Sequence, residues 1–327
     1  MIIVAERGPQ GARLVAIDEH GDRQFDLLEA SDTVARDSHP ALSADGAYVV
    51  FASSRGRQLD ETSLWIAEVA PNAVPRRLTT DAAVESHPVW TRDGTAIVFA
   101  STRAGGDFDL VSLRIDRGRA VGVPVPLTSA EGHEVTPAMG SDGSILYAAI
   151  TSTNGMEVES RIEARAADGA IARVTEGPAD GSPALSPDER TLAFSRPVKH
   201  AAGLDAELWT MPRNGNAASA TVLVELPLTD ESGPVWSPDG RYVFATSVLR
   251  GADGNAVFSS VIVVDTHERP MKARMLEDRA SVSARLTPAI GRGALDASAL
   301  HADPEYLPEL ARIMAAAMAQ PSEPGTP

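Results

Sequence analysis

The sequence lacks several features that would point to particular protein classes. It contains no cysteine, which excludes disulfide bonds, thiolate metal sites and a cysteine nucleophile. Its longest apolar stretches, such as YVVFA and AIVFA, have the length of a strand and fall far short of the roughly 20 residues that a membrane span needs. We therefore predict no membrane span.

Basic residues are also in short supply. Lys and Arg number 29 against 45 Asp and Glu, and the formal net charge is −16. An acidic surface repels phosphate backbones, so we predict no nucleic-acid partner. The same charge favours solubility, cationic partners and metal ions.

The N-terminal residues MIIVAERGPQ include no basic segment, no long apolar segment and no small-residue cleavage site. A signal peptide would show all three. We therefore expect either a cytoplasmic protein, as the sequence is written, or a chain from which a leader was removed.

An internal repeat of about fifty residues dominates the chain. A proline is followed five residues later by Asp and then usually by Gly, as in HPALSADG, HPVWTRDG, TPAMGSDG, SPALSPDE and GPVWSPDG, with a degenerate sixth copy, TPAIGRG. The repeat prolines are Pro40, Pro88, Pro137, Pro183, Pro234 and Pro288. Repeats of this length are typical of propellers and solenoids.

Each repeat has the composition of four short strands. Asp-Gly marks a tight hairpin turn because both residues tolerate positive φ. An apolar run such as YVVFAS follows the turn, and two further strand-like segments end the unit. Four short antiparallel strands separated by turns describe one blade of a β-propeller.

The two ends of the repeat array complement each other. Residues 1–36 supply the outer strands of a blade without its first strand, and residues 283–300 supply a first strand without the rest. Ring closure between them would remove exposed sheet edges. We predict an all-β, six-bladed propeller over residues 1–300, with residues 301–327 forming a short C-terminal helix and a flexible tail.

The quoted segments resemble the Pro-Asp propeller repeats of the TolB family, over residues 1 to about 300. The pattern is recognisable in PVWTRDGTAIVFASTRAGGDFDLV and PVWSPDGRYVFATS. The resemblance implies a six-bladed propeller fold and a location in the bacterial envelope or periplasm, if a leader was removed. The extra N-terminal α/β domain of TolB itself has no counterpart in the sequence, and no GxSxG hydrolase motif occurs.

Charged residues recur three positions before each repeat proline. We predict that they form a ring around one mouth of the central channel, where the ring could hold Ca²⁺ or another divalent cation, or bind a basic peptide. A structural role in turn hydrogen bonding is the alternative. The ring consists of Asp37, Glu85, Glu134, Asp180, Glu231 and Arg285.

Other repeated residues have simpler interpretations. His39 and His87 precede two of the prolines and are added to the candidate ligand site, although turn hydrogen bonding also explains them. Arginines after the second strand are expected to bind nearby carboxylates, and Trp90 and Trp236 to pack between blades. These arginines are Arg7, Arg55, Arg103 and Arg250.

The favoured function is a non-catalytic scaffold, a monomer that binds a protein or peptide partner at the channel mouth. Propellers present a rigid mouth surrounded by loops, which suits recognition. The alternative is a calcium-dependent hydrolase or lactonase at the central channel, with Asp37, Glu85 and Glu134 as the candidate metal ligands. Enzymatic activity is the less favoured interpretation.

Overall fold

A computed structural model describes most of the first 291 residues of the protein. The residues outside the description are 9–10, 31–33, 81, 154–156, 178, 201–202, 227–228, 252–255, 268–272, 277–284 and 292–327. The predicted C-terminal helix therefore lies outside the described residues. Within them, the one helix is a single 3-10 turn, Ala217–Ser219, and no helix could cross a membrane.

Twenty-four strands make up the described part of the chain. The first twelve are β1 (Ile2–Gly8), β2 (Gly11–Ile17), β3 (Arg23–Asp26), β4 (Ala35–Leu42), β5 (Tyr48–Ser53), β6 (Ser63–Glu68), β7 (Arg76–Arg77), β8 (Glu85–Trp90), β9 (Ala96–Ser101), β10 (Asp109–Asp116), β11 (Arg119–Pro126) and β12 (His133–Met139). The others are β13 (Ile145–Thr153), β14 (Glu157–Arg165), β15 (Ile171–Arg173), β16 (Gly181–Leu185), β17 (Thr191–His200), β18 (Gly203–Pro212), β19 (Thr221–Val224), β20 (Thr229–Trp236), β21 (Tyr242–Arg250), β22 (Ala256–Asp265), β23 (Ala273–Leu276) and β24 (Arg285–Ile290).

The described strands form five hydrogen-bonded sheets. Four of them are separate four-stranded antiparallel blades, β8–β11, β12–β15, β16–β19 and β20–β23. The fifth sheet has eight strands, in the order β24-β1-β2-β4-β5-β6-β7 with β3 on β2. The all-β propeller arrangement is thus confirmed, whereas six separate blades are not what the hydrogen bonding shows.

A short parallel contact joins the two halves of the eight-stranded sheet. Strands β2 and β4 pair only at Gly11 with Ala35 and at Ala12 with Arg36. Gly11 has a φ of +107°, and a Cβ there would lie 2.0 Å from the carbonyl oxygen of Ala35. Only glycine permits this approach, because any side chain would collide with the backbone of β4.

The predicted pairing between the chain ends is confirmed. Strand β1 lies between β2 and β24, antiparallel to both, with Ile2 opposite Ile290 and Glu6 opposite Arg285. The first strand is therefore paired on both edges, and its first four residues are fully buried.

Hairpin turns follow the chemistry that the repeat predicts. In the first complete repeat, the carboxylate of Asp45 accepts hydrogen bonds from the hydroxyl of Ser43 and from the backbone N–H of Ala47. Gly46 follows with a φ of +72°. Asp93, Asp188 and Asp239 accept the same two kinds of bond. Asp142 accepts both of its turn bonds from the hydroxyl and the backbone N–H of Ser144, so all of these aspartates belong to turns.

Apolar side chains fill the spaces between neighbouring sheets. Phe51 packs with Ile3 against the first strands, and Phe99 packs against β5 and β6. Phe194 and Phe244 occupy the equivalent strands further along the chain. The second strand of each of these repeats carries large buried side chains on both faces. Each blade therefore packs against the blade on either side of it.

Candidate functional site

The residue before each repeat proline has an unusual backbone conformation. Its φ lies between 49° and 61°, the left-handed region, in all six copies. In each of the five antiparallel pairs that begin a repeat, the strand register shifts at this point. The six residues are His39, His87, Thr136, Ser182, Gly233 and Thr287.

Proline contributes to this geometry. A residue before proline avoids the right-handed helical region, and proline has no N–H to give to the sheet. A left-handed residue followed by proline thus forms a bulge in the strand. A side chain at a bulge points in a different direction from the one that simple alternation predicts.

A central cavity of about 760 Å³ is lined by these six residues and by the six prolines that follow them. We call it the central cavity throughout. Trp90, Trp236, Pro187 and Pro238 also contribute to its wall. Arg92 is the only charged residue among the described residues of the wall, and its guanidinium donates to the carbonyl oxygen of Met139.

Two neighbouring histidines contribute polar groups to the wall, with their rings tilted by 44° to each other. The ring centroids of His39 and His87 lie 3.9 Å apart. Each ring has its Nδ1 in hydrogen-bonding contact with the preceding serine, at 3.1 Å for His39 and 2.9 Å for His87. The N–H of His39 donates to the hydroxyl of Thr287, which ties β4 to β24.

Burial keeps both imidazoles neutral. It lowers the pKa of His39 to about 4, and it lowers the pKa of His87 well below the usual value, with repulsion from His39 adding to the effect. Since a charged imidazole is penalised in a desolvated site, the pair presents neutral nitrogens to the cavity at physiological pH.

The predicted ring of charged residues does not line this cavity. Five carboxylates and Arg285 sit two residues before the bulge, and their exposed fractions are 3% or less. The sequence predicted that they lie at the channel mouth, but the residue before proline, in its left-handed conformation, lines the central cavity instead. The ring residues point into the body of the sheets.

Three of these carboxylates bind an arginine of their own blade. Arg55 donates to Asp37, Arg103 to Glu85, and Arg196 to Asp180 through two nitrogens at 2.6 and 2.8 Å. Arginine is suited to this position because its fork matches a carboxylate.

The predicted partnership of the post-strand arginines with carboxylates is therefore confirmed for Arg55 and Arg103. Arg250 binds the neighbouring Asp230. Arg7 makes no such bond among the described residues.

Two of the ring carboxylates, Glu134 and Glu231, have no arginine partner within the part of the chain that the structure describes. Burial raises the pKa of Glu134 to about 7, opposed by a bond from Thr128 and helped by Asp109. Burial also raises the pKa of Glu231 to about 8, although Thr229 and Ser247 donate to it. In both cases the largest cause is burial of the carboxylate within its own blade, and no other member of the ring contributes to the shift.

The two strands that pair the chain ends, β1 and β24, also carry a buried ion pair, but here the arginine occupies the position that a carboxylate has in the other repeats. Arg285 occupies the position of the carboxylate, and Glu6 of β1 lies opposite it and accepts its Nε–H at 3.4 Å. Arg285 also donates to the carbonyl oxygen of Gly21 at 2.5 Å. The buried charges thus join the first and last described strands.

The predicted metal ligands are not brought together. Asp37, Glu85 and Glu134 do not lie within coordinating distance of one another, because each is held in its own blade. Among the described residues, the one group of three metal-ligating side chains lies elsewhere, at His200, Glu207 and Glu225. The repeat could not reveal it, because no other blade carries an equivalent group.

The tryptophans behave as predicted. Trp90 is 7% exposed and donates its indole N–H to the carbonyl oxygen of Ala41 in the preceding repeat. Trp236 donates equally to Ala184. Each therefore joins neighbouring repeats while its ring edge reaches the cavity wall.

Blades of four antiparallel strands around a central cavity define the protein as a β-propeller. The TolB beta propeller domain family matches residues 27–239, more than half of the sequence. The chain belongs to that family. A search of curated protein sequences found no match.

Solved structures agree on the fold. A putative TolB from Agrobacterium tumefaciens matches with a TM-score of 0.60 at 18% identity, over 84% of this chain and 87% of that one. TolB from Acinetobacter baumannii matches with a TM-score of 0.66 at 15% identity, over 88% of this chain and 65% of that one. A gluconolactonase from Xanthomonas campestris matches with a TM-score of 0.50 at 13% identity, over 73% and 75%.

Proposed function

We propose that the protein is a non-catalytic propeller scaffold that binds a segment of a protein or peptide partner in the central cavity. The observation that carries this proposal is the wall of eight prolines, small hydroxyl side chains and two neutral imidazoles around about 760 Å³. Pockets that bind ligands are mostly apolar, with a few placed polar groups.

The proposal includes a count of six blades. The eight-stranded sheet divides at the two-residue contact between β2 and β4 into two antiparallel groups of four strands. Apolar side chains pack across this division, with Ile3 and Leu14 against Val49 and Phe51. Counting each group as a blade gives six units around the cavity.

The chemistry of the wall changes the expected partner. A ring of exposed carboxylates would favour a basic peptide, but the described wall of the central cavity contains no carboxylate. The net charge of −16 still draws cationic partners toward the surface. We therefore propose that the inserted segment is uncharged and rich in apolar or proline residues.

A calcium-dependent hydrolase or lactonase is the alternative proposal. The likeness to a gluconolactonase concerns the fold alone, and the described wall of the cavity offers Ca²⁺ none of the carboxylates that it prefers. Assaying lactone hydrolysis with calcium and with a chelator tests it. Calcium-dependent turnover that disappears in the His87→Ala variant would replace the scaffold proposal.

Gly233 offers a direct test of the cavity. It occupies the position of His39 and His87, has a φ of +61°, and a Cβ there would meet no atom within 4 Å. Gly233→His should therefore place a third imidazole in the cavity without disturbing the fold, because two repeats already hold histidine in this conformation.

The measurement uses peptides of about twelve residues selected by display on the wild-type protein. We expect Gly233→His to weaken their binding by at least tenfold in calorimetry. Gly46→His, the same substitution at a positive φ in a hairpin turn, should bind like the wild type. Equal affinity of the two variants would place peptide binding on another surface.

Location and assembly complete the proposal. We propose an envelope location, on the family resemblance, for a form of the protein whose leader has been removed. We also propose a monomer. Fractionation of the natural host and sedimentation of the purified chain test these two points.

A further inference from the structure

One side-chain cluster outside the central cavity combines a histidine and two glutamates. The Nε2 of His200 lies 2.9 Å from Oε1 of Glu207. One ligand atom from each of His200, Glu207 and Glu225 lies within 4.8 Å of the others. The cluster is on the outer part of the β16–β19 blade.

Strand register explains why three residues so far apart in sequence meet. Glu207 of β18 pairs with Arg196 of β17, and His200 lies four residues after Arg196, on the same face of the sheet. On the other side of β18, Leu208 pairs with Val224, so Glu225 follows the end of β19 beside Glu207. Three adjacent strands therefore present the three side chains to one place.

Glu207 is a buried carboxylate held in a fixed orientation. It is 3% exposed, and its Oε2 accepts the indole N–H of Trp209 at 3.1 Å. Among the described residues it has no Lys or Arg partner. The nearby Arg196 gives two nitrogens to Asp180 instead.

Such a carboxylate calls for a compensating positive charge, because an ionised group away from water is costly unless it is paired or bound to a metal. His200 can supply one only when it is protonated. A divalent cation would supply two charges, which matches the two glutamates.

We propose that His200, Glu207 and Glu225 form a zinc site. One imidazole nitrogen and two carboxylate oxygens are a ligand set that Zn²⁺ accepts, with water in the fourth position. Tetrahedral ligands about 2.0–2.1 Å from the metal lie about 3.3 Å from one another, so small rotations of the three side chains would enclose the ion.

The indole of Trp209 is the outer support of this site. Hydrogen-bond partners of ligating groups fix the orientation of the ligand. With metal bound, the site would tie the ends of β17 and β19 to β18. Its role is therefore to stabilise one blade, and it does not depend on the function proposed for the central cavity.

Calorimetric titration of the purified, chelator-treated protein with ZnCl₂ tests the proposal. We expect one Zn²⁺ per chain, a higher melting temperature and a change in tryptophan fluorescence. His200→Ala and Glu225→Gln should each weaken binding at least tenfold, and Trp209→Phe about tenfold. Because Glu225 is exposed, its variant should fold normally.

Two control variants keep the result specific. His20→Ala removes an exposed histidine and should bind zinc like the wild type. A double variant, His39→Ala with His87→Ala, removes the paired imidazoles of the central cavity and should also retain zinc. The proposal is overturned if no zinc binds, if His200→Ala and Glu225→Gln bind unchanged, or if only the double variant loses zinc.

Discussion

Replacing a buried ring carboxylate by glutamine should have opposite effects on stability, depending on whether an arginine pairs with that carboxylate. Glu231 and Glu85 occupy the same position in their repeats, and both are fully buried. Glu85 binds Arg103, whereas Glu231 has a pKa raised by burial from the usual 4.5 to about 8. We expect Glu231→Gln to stabilise the protein at high pH and Glu85→Gln to destabilise it.

The magnitude follows from the pKa of Glu231. In the unfolded chain the carboxyl ionises near pH 4.5, but in the folded chain it holds its proton to about pH 8. The contribution of Glu231 to the free energy of unfolding is therefore fully present below pH 4.5 and is lost as the pH rises through 8. Each pKa unit is worth 1.36 kcal/mol, and because titration is incomplete at both ends of this range the loss between pH 5 and pH 8 is about 3.5 kcal/mol.

Glutamine keeps the shape of the side chain without the ionisation. The free energy of unfolding of Glu231→Gln should therefore rise by about 3.5 kcal/mol relative to that of the wild type when the pH is raised from 5 to 8. Glu85→Gln leaves Arg103 without its charge partner and should lose about 3 kcal/mol at pH 7. Guanidinium unfolding at both pH values, followed by tryptophan fluorescence, measures the difference.

The refuting result is specific. If the free energy of unfolding of Glu231→Gln differs from that of the wild type by the same amount at pH 5 and pH 8, the carboxyl does not titrate as its burial requires. If Glu85→Gln is as stable as the wild type, the arginine pair does not contribute to stability.

Three further predictions concern the cavity and the core. An NMR titration should find the imidazole of His39 neutral down to about pH 4; a midpoint above 6 would show an open, hydrated cavity. Trp90→Phe removes the N–H bond to Ala41 and should cost about 1–2 kcal/mol in urea unfolding, and no cost would deny that this bond joins the repeats. Ile3→Ala, in the closure strand, should cost about 3 kcal/mol by calorimetry, whereas a loss under 1 kcal/mol would mean that β1 is not part of the core.

The repeat pattern predicted most of the fold because turns and strands depend mainly on residues that are close together in the sequence. Asp-Gly turns and apolar runs fix where strands begin and end, and the incomplete repeats at residues 1–36 and 283–300 predicted the pairing of β1 with β24. The sharing of hydrogen bonds between β2 and β4 was not predictable. It depends on one glycine, Gly11, approaching the backbone of Ala35.

The residues before proline, which line the central cavity, lie two positions after the ring that the sequence predicted. Strand alternation treats the third and first residues before proline as equivalent, but the left-handed conformation at His39 and its counterparts breaks that equivalence. The proline alone could not have revealed this, because the residue before a proline is ordinarily restricted to extended backbone. His39 and His87 were included in the predicted site only because they precede two of the repeat prolines, and their backbone conformation was not considered.

The zinc ligands could not have been predicted. His200, Glu207 and Glu225 follow no repeat, and their meeting depends on the register of three strands. A motif search looks for residues at fixed distances along the sequence. The register between strands does not produce such fixed distances.

Pairing between the first and last described strands has a consequence for biosynthesis. Strand β1 leaves the ribosome before its partner β24, which is made about 280 residues later. At 5–20 residues per second, β1 waits roughly 15 to 60 seconds with one edge uncovered. During that interval the nascent chain exposes an apolar strand that a chaperone could bind, and completion of the ring is a late event in folding.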